Sequence, residues 1–213
     1  FTGKAQQKPL DLLKALISFG GRGVAPERLL DALWPESDGD AARKAFDITL
    51  HRLRKLVRIR EAIQLREGML SLDTQSVWVD VWAFDKGFAA WQTTSGEGLT
   101  NEAFRTIELF GGTFLPNDED KAWAVHLRER ARSRYLRLVS SIGTHLSHQG
   151  DYLRARDHFI MALDLNPLSE SIYQGLMTCY ERMGQKGDAA AVYLRCRKVL
   201  SATLGVEPTR ETQ

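Results

Sequence analysis

Arg43, Lys44, Arg52, Arg54 and Lys55 crowd into the stretch DAARKAFDITLHRLRKLV, residues 40–57, where Asp47 is the one acid after the opening Asp40. Guanidinium and ammonium groups gathered without compensating carboxylates are suited to binding oxyanions, above all phosphate, and to donating hydrogen bonds to guanine in a DNA groove. On a helix advancing about 100° per residue, Lys44, Asp47, Ile48, Arg54, Lys55 and Arg58 lie within about 60° of His51. Ala42, Ala45, Phe46, Thr49, Leu53, Leu56 and Val57 occupy the opposite side. One face is therefore basic and the other is a core face.

If such a helix lies in a major groove, Arg43 and Arg52 at the rim of the basic face are placed to neutralise phosphates, while Lys44, His51 and Lys55 point at base edges. Asp47 has two readings: it accepts from a cytosine amino group, or it pairs with His51 or Arg54 and orients them. Arg66, farther along the chain, is a candidate phosphate contact. A site using about five or six of these charges loses affinity steeply with salt, because each contact releases condensed counterion.

Other chemistries find less support. His126, His145, His148 and His158 include an i, i+3 pair, but no third metal ligand has suitable spacing. Cys179 and Cys196 sit inside helical patterns without a nearby base, which reads as two buried, reduced thiols. No nucleophile elbow, catalytic carboxylate pair or GxxxxGK[ST] phosphate loop is present. The expectation is a protein that is not an enzyme and needs no metal or cofactor.

The net charge of +2 conceals a division. Residues 1–60 hold 12 Lys/Arg against 7 Asp/Glu, residues 61–213 hold 17 against 20, and in residues 41–60 seven basic side chains face Asp47 alone. Such an asymmetry marks the N-terminal part as the one facing a polyanion. No apolar run approaches the ~18 residues of a membrane span, and FTGKAQQKP lacks signal-peptide architecture, so the reading is cytoplasmic with no membrane partner. A chain that begins with Phe reads as a piece of something longer.

The elements that position the basic face follow from punctuation. PLDLLKALISFGG reads as an amphipathic helix opening at Pro9 and ending at Gly20-Gly21; PERLLDALW opens at Pro26 and stops before Pro35. Asp38 or Asp40 can cap the helix 40–57. AIQLREGMLSLD then alternates apolar residues around Glu67-Gly68, a two-residue hairpin signal. Three helices followed by a β-hairpin is the order of a winged helix-turn-helix, assigned to residues 1–78.

Residues 79–213 are helical throughout: helices over 79–93 and 99–110, a loop with Gly111-Gly112 and Pro116, and a long helix from Lys121 to about His148. The cluster Asn117, Asp118, Glu119 and Asp120 reads as the cap of that helix. An offset of 34 residues aligns Gly150 with Gly184, Ala155 with Ala189, Phe159 with Tyr193, Ala162 with Cys196 and Leu146 with Tyr180, with Gly143 at a small position. That period is the tetratricopeptide signature, and because two repeats are too few to stand alone, the helices upstream must add a layer. The fold class is thus mainly α: a winged helix-turn-helix and a tetratricopeptide-like helical domain.

The runs GRGVAPERLLDALWP, AARKAFDITLHRLRKLV, LREGMLSLD and WVDVWAFD resemble the winged-helix domain of SARP-type bacterial transcriptional activators. The remainder, closing with AAAVYLRCRKVLSATLGVEPTRET, resembles the bacterial transcriptional activation domain that accompanies it. The resemblance implies an activator that binds double-stranded promoter DNA through residues 40–57. It also implies that the helical half contacts RNA polymerase or another regulatory protein, or self-associates. The first strands usual for that family would lie before Phe1, apart at most from FTG. The alternative function is a tetratricopeptide-type interaction adaptor whose winged helix does not bind DNA.

Overall fold

The computed structural model describes residues 7–59, 61–94 and 98–212, so the FTG strand expected at the start lies outside the described residues. By internal contacts the chain divides into two compact units, residues 1–80 with 112–130, and residues 81–111 with 131–213.

In the first unit, α1 (Gln7–Ser18), α2 (Pro26–Leu33) and α3 (Gly39–Val57) precede a hairpin of β1 (Ile63–Arg66) and β2 (Met69–Leu72). Pro9 lies within the first turn of α1, where a missing N–H costs nothing, and Pro26 opens α2 for the same reason. Asp38 occupies the N-cap position of α3, although its side chain makes no cap hydrogen bond. The core side of α3 is the side its apolar spacing indicated: Phe46 and Leu53 are fully buried and Ala42, Thr49 and Leu50 nearly so. Burying Phe46 alone is worth about 3 kcal/mol.

The hairpin closes at Glu67-Gly68, with φ of 51° and 76° and Arg66 opposite Met69. Positive φ at both central residues is the primed turn that matches strand twist, which explains glycine at the second position. The GRGVA turn does more than reverse the chain. Val24 exchanges both backbone hydrogen bonds with Leu70, at 2.9 and 2.8 Å, and the Leu72 N–H donates to the Gly21 carbonyl at 2.7 Å. The hairpin is thereby strapped to the segment between α1 and α2.

The acidic cluster at 117–120 does not cap the long helix α6 (Ala122–His148). Asp118, in a single 3-10 turn at Pro116–Asp118, is buried and accepts from Lys14 Nζ at 2.6 Å, while Asp120 pairs with its neighbour Lys121. Arg128 donates to the carbonyls of Phe114 and Asp118 at 3.1 and 3.0 Å. These bonds make residues 112–130 compact with the N-terminal residues, so the packing units differ from the chain-order division into 1–78 and 79–213.

The second unit contains α4 (Asp80–Thr93), α5 (Gly98–Ile107), the later part of α6, α7 (Tyr152–Leu165), α8 (Glu170–Arg182) and α9 (Lys186–Leu204). The 34-residue equivalence is visible in the turns. Asp151 N–H donates to the Leu146 carbonyl at 3.0 Å and Gln185 N–H to the Tyr180 carbonyl at 2.9 Å, with Gly150 and Gly184 at φ of 82° and 76°. Both are left-handed glycine endings of a helix. Ala155 and Ala189 are buried, as are Ala162 and Cys196. Phe159 is buried between Gly143 of α6 and Gly175 of α8, whereas its counterpart Tyr193 is only half-buried. The layer below is supplied by α4 and α5, which touch where Gly87 meets Thr106, and by the stacked rings of Phe110 and Tyr135. Among the described residues no helix is long and apolar enough to cross a membrane.

Candidate nucleic-acid interface

The candidate site is the solvent face of α3 together with the hairpin. Lys44, Asp47, His51, Arg52 and Lys55 are all exposed on α3, and Arg66 is exposed at the end of β1. Their side chains stand outward because α1 packs against the Phe46 side of the helix, leaving the opposite arc to water. Among the described residues none of Lys44, Arg52, Lys55, Arg58 and Arg66 is held in an ion pair. Exposed cations of this kind are electrostatically suited to a polyanion.

Four of the residues singled out depart from the roles the spacing suggested. Arg43 is exposed but reaches Glu27 of α2 at 3.4 Å and lies over the Phe46 ring, so part of its charge is answered internally. A pair so exposed is weakly held and can exchange Glu27 for phosphate. Arg54 is half-buried, and its Nε–H donates to the Ile63 carbonyl at 3.2 Å, fastening the hairpin to the helix. Arg58 leaves the helical face: α3 ends at Val57, and Arg58 is its C-cap in the left-handed region at φ 59°. Asp47 forms no ion pair with His51 or Arg54 among the described residues, since Arg54 turns to the hairpin instead.

Arg22, on the strap beside the hairpin, is an exposed cation that spacing did not select. It donates to Thr74 Oγ1 at 3.1 Å, and its only sequence signal was the GRG turn. No three His, Cys, Asp or Glu side chains among the described residues converge as metal ligands.

The sequence family described as "Bacterial transcriptional activator domain" matches residues 79–213. Among curated proteins the chain is similar to Regulatory protein AfsR of Streptomyces coelicolor, 29% identical over 216 residues covering 97% of this chain and 21% of that protein. It is 22% identical over 228 residues to Regulatory protein DnrI of Streptomyces peucetius, covering 97% of this chain and 81% of that one. The chain spans about a fifth of the length of the AfsR proteins it matches. Its fold is like that of Mycobacterium tuberculosis EmbR, solved in complex with a low affinity phosphopeptide. The TM-score is 0.77 at 18% identity, over 96% of this chain and 56% of that one. The family model spans the part of the chain that holds the 34-residue helical repeat, and the chain belongs to the bacterial transcriptional activator domain family of SARP-type regulators.

Proposed function

We propose that this protein is a transcriptional activator that binds promoter DNA sequence-specifically, with α3 in the major groove and the hairpin along the neighbouring backbone. The observation that carries the reading is the solvent face of α3, where Lys44, Arg52 and Lys55 stand exposed and, among the described residues, in no ion pair. A single helix fits the major groove, and cations on its rim reach phosphates on both sides. Lys44, His51 and Lys55 read base edges, Arg43, Arg52 and Arg66 set register on phosphates, and Arg58 adds charge at the helix end. Asp47, which forms no ion pair among the described residues, is free to accept from a cytosine amino group.

Residues 79–213 then serve protein contacts, with RNA polymerase, another regulator or a second copy. Specific affinity from one such head is modest, so paired or repeated target sites raise it. The test replaces Lys44, Arg52 and Lys55 together by Ala in the full chain and measures duplex DNA binding at two salt concentrations. Affinity falls through the lost base contacts of Lys44 and Lys55, and the dependence of log affinity on log salt becomes shallower by about 0.9 for the lost phosphate contact of Arg52. Unchanged affinity and slope overturn the reading in favour of a protein-interaction adaptor.

A further inference from the structure

Ile48 stands in the middle of the basic face and charge does not explain it. Its side chain is 54% exposed, among the larger exposures of any big apolar residue in the chain. Around it on the same arc of α3 lie Lys44 one turn before and His51, Arg52 and Lys55 one and two turns after, all exposed. On the helical wheel Lys44, Arg52 and Lys55 fall within about 40° of it, so Ile48 is the crest of the ridge and the cations are its flanks. Single exposed apolar residues are ordinary on protein surfaces. This one is different because it is ringed by cations and because the neighbouring β-branched Thr49 is folded away. Thr49 is buried, with its hydroxyl donating to the Ala45 carbonyl at 2.6 Å.

A surface complementary to this crest is anionic at its margins and presents a small apolar group at its centre. Duplex DNA offers that arrangement in the major groove: phosphates line both edges, and the only apolar group on any base edge is the thymine 5-methyl. Resting on the DNA-binding reading above, we infer that Ile48 is a specificity-determining residue that seats its branched side chain against the 5-methyl group of a thymine. The flanking Lys44 then donates to an adjacent base, and His51 donates to or accepts from another. The preference is for thymine because a cytosine at that position has only a hydrogen at C5 and leaves Ile48 without its methyl contact.

The test uses the full chain and duplexes that it selects from a randomised pool. Each thymine of the selected sequence is replaced in turn by deoxyuridine, which removes the methyl and keeps the base pair. In the wild-type protein, replacement at one position per bound site weakens binding about 3- to 5-fold, the scale of one buried methyl group. In Ile48→Ala the same replacement has no effect, while binding to unselected duplex stays as in wild type. Ile48→Ala keeps the fold, since the side chain is exposed and Ala favours helix, and Ile48→Val retains the methyl sensitivity. Indifference of the wild type to every thymine methyl, or sensitivity that persists in Ile48→Ala, overturns the inference while leaving DNA binding intact. So does an Ile48→Ala effect confined to a protein partner. If the wild type selects no duplex at all, the DNA-binding reading fails first and the assignment of Ile48 falls with it.

Discussion

The Nε–H of Arg54 donates to the backbone carbonyl of Ile63 at 3.2 Å, joining the last turn of α3 to the first residue of the hairpin. Two adjacent cations of similar appearance in the sequence therefore do different work. Arg54 is half-buried and fixes the position of the wing; Lys55 is exposed to solvent. Removing Arg54 takes away a charge-assisted bond and strands a carbonyl, a cost of about 1.5 kcal/mol.

Arg54→Ala accordingly lowers stability by about 1 to 2 kcal/mol in urea unfolding and leaves the salt slope of DNA binding near wild type. Lys55→Ala does the opposite, changing stability by less than about 0.5 kcal/mol while weakening binding to a selected duplex by about 1 to 3 kcal/mol, the scale of a lost base contact. Equal losses of affinity for the selected duplex in the two variants, with no loss of stability for Arg54→Ala, count against the division.

Asp118 and Asp120 make a second contrast. Asp118 is buried against Lys14, whereas Asp120 is largely exposed beside Lys121. Breaking a buried pair leaves a cation partly desolvated, and breaking an exposed one leaves it in water. Asp118→Ala is expected to cost about 2 to 3 kcal/mol, while Asp120→Ala leaves the midpoint near that of wild type, as read from thermal unfolding. Similar midpoints for both variants would show that the buried pair contributes little.

The two contrasts mark where sequence patterning stops. Helical period identified the core side of α3 from Ala42 to Leu53, and the Glu67-Gly68 signal located the hairpin turn, because both are properties of neighbouring residues. The destination of Arg54 depends on a strand nine residues away, and that of Asp118 on a lysine 104 residues away. The acidic cluster looked like a cap because local charge was all that could be weighed. The Val24 bridge was invisible for a similar reason: a single paired residue has no alternation to detect. Within the site, exposure of Lys44, His51, Arg52 and Lys55 was legible from the wheel, while Arg58 left the wheel because the helix ended one residue earlier.

Gly175 of α8 is a packing requirement that the 34-residue pattern did not single out. A Cβ there would stand 2.6 Å from Cζ of Phe159, and one on Gly143 would stand 2.8 Å from the same ring. Gly175→Ala gains about 1 kcal/mol of helix propensity but overpacks a wedged ring at about 1 to 3 kcal/mol. The expected net effect in wild type is a loss of about 1 kcal/mol. In a Phe159→Leu background, where the ring is absent, the same substitution becomes neutral or stabilising. The coupling in that double-mutant cycle, read from urea unfolding, is about 1 to 2 kcal/mol. Additive effects would show that the ring and the glycine do not constrain each other.

Glu170, in the first turn of α8, holds the C-terminal segment. Its carboxylate accepts from the Thr209 N–H at 2.6 Å, the Thr209 hydroxyl at 2.5 Å and the Thr212 hydroxyl. The Thr209 and Thr212 hydroxyls, as donors to the charged form, hold this carboxyl below the ordinary carboxylate range. With the docked value depressed, Glu170 binds more protons at acid pH once the segment is released. Docking is therefore fully favoured above the ordinary carboxylate range and is lost as pH falls through the depressed value. Amide resonances of Thr209 and Thr212 followed from pH 7 downward should keep their docked positions to about pH 5 and then shift together toward those of a free chain. Glu170→Gln, which keeps the shape and removes the charge, should show weakened docking at every pH and no acid transition. A transition that survives in Glu170→Gln would assign the pH dependence to another group.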